Sequence, residues 1–82
     1  MSNNEVGFRN WLSKTKKFQR KVVCDILSRK NRLFKIKKYE VGQNLKSYLI
    51  KLEDIETFKN LTLSVKSQLR RSVRLFAEFH SR

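Results

Sequence analysis

The sequence predicts an all-α fold, a small bundle of four helices, and three observations carry that prediction. The chain of 82 residues contains no proline and only two glycines, Gly7 and Gly42, so almost nothing punctuates strands and hairpins, while its Leu, Lys, Arg, Glu and Gln favour helix. It is 39% hydrophobic and 11% aromatic, a content that disordered segments lack. Its apolar residues recur at the i, i+3, i+4 spacing of a helix face in four places. Length adds that residues 1–82 form one domain, because chains divide into several cores only well beyond this size. A core this small uses every large apolar residue and leaves no surplus for a deep small-molecule substrate pocket.

The first helix is expected over 3–14, capped by Ser2 or Asn3, with Phe8, Trp11 and Leu12 on one face. The second is expected over 18–34. Stepping about 100° per residue from Phe18 gathers Val22, Leu33, Ile26, Val23, Phe34 and Leu27 into one half-turn. Lys17, Arg20, Lys21, Cys24, Ser28, Asn31 and Arg32 fall opposite, and Arg29 lies at the core edge with its guanidinium reaching outward. A connector over 35–43 turns near Gly42. The third helix, over 44–52, carries Leu45, Tyr48, Leu49 and Leu52 on one face, and a loop over 53–61 follows with Phe58 and Leu61 as apolar plugs. The fourth helix, over 64–79, has Val65, Leu69, Val73, Phe76 and Phe79 as its stripe and Thr62 or Ser64 as its cap. Residues 1–3 and 80–82 are expected to fray.

Several classes of function fall away at this level. No uncharged stretch approaches the ~20 residues that span a bilayer, and residues 1–10 have no apolar core of signal-peptide type, so a soluble cytoplasmic protein without a membrane partner is expected. One cysteine, Cys24, and one histidine, His80, provide neither an internal disulfide nor a zinc-ligand set. Glu53, Asp54 and Glu56 lack the ligand spacing and turn glycine of a calcium loop and read as solvated acids. With no glycine-rich phosphate loop and no nucleophile triad, neither a cofactor nor an enzymatic activity is expected.

The charge is the informative feature. The chain carries +13, and the excess is segregated: residues 9–38 hold twelve cations against one acid, and residues 61–82 hold five against one. On the fourth helix Lys66, Arg70, Arg74, Ser67 and Arg71 fall in one sector of about 140°, opposite the apolar stripe, with no acid among them. A helix that needed only solubility would mix both signs and gain a few tenths of a kcal/mol from each i, i+4 pair. Crowding like charges costs stability, and a polyanion is the partner that offsets the cost. The expected contact set is Lys17, Arg20, Lys21, Lys66, Ser67, Arg70, Arg71 and Arg74.

The order of features resembles a known family. A first helix with Phe8-Arg9-Asn10-Trp11-Leu12, then Lys21-Val22-Val23-Cys24-Asp25-Ile26-Leu27-Ser28-Arg29, then a third amphipathic helix and a closing run of Ser64-Val65-Lys66-Ser67-Gln68-Leu69-Arg70-Arg71-Ser72-Val73-Arg74-Leu75-Phe76, is similar to the N-terminal core-binding domain of tyrosine recombinases and phage integrases. Val22 stands where that family often has Thr, Ile26 where it often has Tyr, and Gln19 near its usual capping Ser. The resemblance implies a SAM-like orthogonal bundle that forms half of a clamp on duplex DNA, with the second and fourth helices toward the major groove. It also implies a catalytic domain on a separate C-terminal unit and contacts with neighbouring recombinase subunits. Two other readings fit the charge: a basic helical RNA-binding protein, and a protein-interaction adaptor that docks through its first helix or its C-terminal segment.

Overall fold

The four apolar stripes become four helices, and a one-turn helix joins them. A computed structural model describes residues 3–40 and 42–81 as α1 (Asn3–Lys14), α2 (Arg20–Ile36), α3 (Leu45–Leu52), α4 (Glu56–Lys59) and α5 (Leu63–His80), with no strand among the described residues. The fold is all-α, as the spacing predicts. None of these helices is long and apolar enough to cross a membrane.

Phe8, Trp11 and Leu12 fix α1 to the bundle and are all buried. Phe8 meets Phe76 edge-on at 5.4 Å and Phe79 at 5.6 Å, and Trp11 lies 5.6 Å from Phe79, so α1 is anchored on α5 by aromatic pairs. Gly7 eases that approach, because a Cβ there would stand a tight 3.2 Å from Phe79 Cζ. Ser2, one of the two expected caps, lies outside the described residues.

The chain reverses after α1 without a glycine. Thr15 N–H donates to Trp11 O, Lys17 takes the left-handed conformation at φ 57°, and Phe18 N–H reaches back to Leu12 O at 3.1 Å. This turn absorbs Phe18, so α2 starts at Arg20 and not at Phe18; Gln19 is its extended N-cap and makes no side-chain capping bond. The helix then runs two residues past the expected end. Its buried face is Val23, Ile26, Leu27, Lys30 and Leu33.

Beyond α2, Tyr39 is buried and its hydroxyl donates to Gln43 O at 3.0 Å. Gly42 supplies the positive φ of 94° that the turn needs. Asn44 Oδ1 then accepts from Ser47 N–H and caps α3. Tyr48, fully buried, donates to Lys37 O and ties α3 to the end of α2, while its burial pushes the phenol up to about 12. The segment expected as a plain loop contains α4, whose single turn buries Phe58.

Of the two candidate caps for α5, Thr62 does the work: its Oγ1 accepts from Val65 N–H at 3.2 Å. α5 packs Leu69, Ser72, Val73 and Phe76 inward and shares its most extensive contact with α2, while α1 rests on both. Ser72 is tolerated in the core because its hydroxyl donates to Gln68 O. The expected fraying at His80 is corrected: α5 is helical through it, and its ring lies 4.4 Å from Phe76 and 4.9 Å from Phe79. Residues 1, 2 and 82 lie outside the described residues.

Candidate nucleic-acid interface

The contact between α2 and α5 puts the two basic helices side by side, and the eight expected contact residues then separate into three groups. Lys17, Arg20 and Lys21 are exposed at the entrance to α2, whose first turn holds no acid. Cations beside a helix N-terminus oppose its dipole, at about 0.3–1 kcal/mol each when exposed. Arg71 joins this group from α5, with its guanidinium 5.4 Å from the Phe18 ring and its side chain exposed.

Lys66 and Arg70 do something else. Glu53, at the end of α3, accepts a hydrogen bond from Arg70 and lies 3.7 Å from Lys66 Nζ. Both cations also sit over the Phe58 ring, at 5.7 and 5.6 Å. They clamp the α3–α4 corner over a buried phenylalanine, and only 12% of the Lys66 side chain is accessible. The Arg70 hydrogen bond, helped by the charges of Lys66 and Arg70, holds the Glu53 carboxyl below its ordinary value. The basic sector of α5 is acid-free neither in space nor along the helix, which corrects the reading from its five named residues alone. One turn beyond Arg74 the same sector reaches Glu78, which pairs with Lys16 at 2.7 Å.

Arg74 and Ser67 form the third group, both exposed. Arg74 borders a cleft of about 600 Å³ with Tyr39, Gln43, Glu78 and His80. Lys17, Arg20, Lys21, Arg71 and Arg74 are thus five exposed cations with no ion pair among the described residues.

Sequence reasoning missed three features. Lys30 is buried, with its ammonium 5.5 Å from the Phe34 ring and 5.2 Å from Phe76. The angular arithmetic already put Lys30 between Ile26 and Val23, in the middle of the apolar half-turn, and that was the available signal. Arg9 and Ser13, one turn apart on α1, face a cleft shared with Arg20; the i, i+4 spacing was visible but its neighbour was not. Glu53 meets Arg70 across 17 residues, a distance that helical periodicity does not cover.

None of the nine aromatic side chains is exposed. Among the described residues no group of three or more His, Cys, Asp or Glu side chains is placed to hold a metal ion. No family model, curated protein or solved structure matches this chain.

Proposed function

We propose that the protein is a duplex-DNA-binding module of the kind that tyrosine recombinases use as an N-terminal core-binding domain, and that it grips DNA through α2 and α5. In this reading cleavage and rejoining belong to a separate catalytic unit. The observation that carries it is the exposed set of Arg20, Lys21, Arg71 and Arg74 on two packed helices, with Lys17 in the turn that leads into α2, none of them in an ion pair among the described residues. Two cations, Arg20 and Lys21, set against a helix dipole with Lys17 beside them are an arrangement that a polyanion stabilises. Burial of the aromatics favours duplex over single-stranded nucleic acid, because single strands are bound by stacking bases on exposed rings.

The test is the salt dependence of binding to a short duplex. Five phosphates neutralised by these five cations give a slope of log K against log salt of about −4.5, at about −0.9 per phosphate. Absence of binding at low salt, or binding indifferent to salt, removes the proposal. Tighter binding to single-stranded RNA than to duplex DNA would replace it with the RNA reading.

A further inference from the structure

A second cleft, of about 440 Å³, opens between α1 and the start of α2. Arg9, Ser13, Phe18, Arg20, Val23 and Cys24 line it, and none of them is acidic. Arg9 and Ser13 stand one turn apart on α1, and Arg20 and Cys24 one turn apart on α2, so two helices each present a guanidinium and a small polar group to the same space. Neither arginine forms an ion pair with a side chain of residues 6–40 or 42–81. Phe18 and Val23 give the rest of the wall an apolar character, and Arg71 on the Phe18 ring brings a third guanidinium to its border.

Two guanidiniums and a hydroxyl suit the oxygens of a phosphoryl group, which arginine recognises with paired donors. The apolar wall and the volume are more than a bare anion uses. A sugar ring attached to the phosphate fits them.

We infer that this cleft seats one phosphodiester of a bound nucleic-acid strand, with Arg9, Arg20 and Ser13 on its non-bridging oxygens and the adjoining sugar against Phe18 and Val23. The inference rests on the nucleic-acid-binding function proposed above. It adds α1 to the contact surface, which the contact set expected from the sequence did not include. A free phosphate would share the oxyanion chemistry and leave the apolar wall uncovered.

Cys24 is the chain's one cysteine, it is exposed, and it lies in the cleft wall, so its alkylation reports occupancy. The full chain is treated with uncharged N-ethylmaleimide at constant ionic strength, alone, with saturating duplex, and with inorganic phosphate. At a duplex concentration about tenfold above Kd, labelling through the free protein slows about tenfold, and inorganic phosphate changes it little. A Cys24→Ser, Ser28→Cys variant moves the thiol one turn along α2 and out of the cleft, and its labelling should respond far less. In a parallel titration, Arg9→Gln with Arg20→Gln should reduce the salt slope by about 0.9, because the two cations share one phosphate.

Duplex that binds with the expected salt dependence while Cys24 reacts as in the free protein overturns the cleft and leaves the proposed function standing. A slope change of about 1.8 also overturns it, since the arginines would then contact separate phosphates. Inorganic phosphate protecting Cys24 as fully as duplex makes this a free-anion site and overturns the strand assignment. No duplex binding at low salt removes both proposals.

Discussion

Phe8→Ala removes the side chain on which the docking of α1 turns. Phe8 is 0% exposed, and its ring meets Trp11 at 6.1 Å, Phe76 at 5.4 Å and Phe79 at 5.6 Å. Truncation of a buried phenylalanine costs about 3–5 kcal/mol, and two ring partners on another helix put this one in the upper half of that range. At about 0.05–0.15 kcal/mol per residue, the whole domain is stable by about 4–12 kcal/mol. A loss of about 4 kcal/mol lowers Tm by about 16–32 °C in a domain of this size. The loss is not shared evenly, because α1 has 12 residues and is too short to hold its helix undocked. Trp11, the chain's one tryptophan and only 6% exposed, reports that event directly. In thermal melts of the variant, Trp11 emission should shift to the red before the far-UV circular dichroism of α2 and α5 is lost. A variant that melts within a few degrees of the parent, with unshifted emission, would refute this account of the α1–α5 contact.

Arg71→Glu with Arg74→Glu, compared with Lys35→Glu with Lys37→Glu, changes net charge equally, and duplex affinity measured by fluorescence anisotropy should fall about tenfold further in the first pair. Arg70→Glu differs from both, because it sets a carboxylate against Glu53 and should lower Tm as well. For Tyr48, whose folded pKa of about 12 exceeds its ordinary 10, stability from the neutral phenol is full below about pH 10 and is lost as pH rises toward 12. Tyr48→Phe should flatten that loss in denaturant melts, while costing about 1–3 kcal/mol near neutral pH, where Lys37 O loses its donor. Glu53 has the opposite sign: its lowered folded pKa gives a contribution present above its ordinary value near 4.5 and lost as pH falls through the folded value. Glu53→Gln should remove that part of the acid-side loss in Tm and, by releasing Lys66 and Arg70, tighten duplex binding in the same anisotropy assay.

The helices were legible wherever three or more apolar residues shared a face at i, i+3, i+4 spacing. Phe8, Trp11 and Leu12, or Val65, Leu69, Val73 and Phe76, define a face by spacing alone, and their helices form where that spacing puts them. α4 has four residues, too few to display a period, so Glu56 and Lys59 gave no signal. The start of α2 was misplaced because Lys17 turns the chain in a conformation that sequence associates with glycine. The charge asymmetry of the candidate site was legible from counting. Which cations are available was not, since that depends on Glu53 and Phe58 arriving from another helix pair.

That division of the cations bears on what the excess charge is for. A chain selected only to be basic would have no reason to distinguish Lys66 and Arg70 from Arg71 and Arg74 on the same helix. Here Lys66 and Arg70 have a carboxylate and a ring to cover, Lys16 has Glu78 and the Trp11 face, and Lys30 lies over two rings of the core. Each of these cations stabilises the fold through a contact that persists without any partner. Lys17, Arg20, Lys21, Arg71 and Arg74 have no such acid, Arg71 having only the Phe18 ring beneath it, although Asp54 and Glu56 lie exposed and without an ion pair among the described residues near the α3–α4 corner. Two of the spare acids lie there, while the first turn of α2 holds none. Self-repulsion at that entrance is a standing cost in the free protein. It turns into a favourable term only when fixed negative charges line the same surface, and a duplex backbone provides them about every 1.7 Å along its axis.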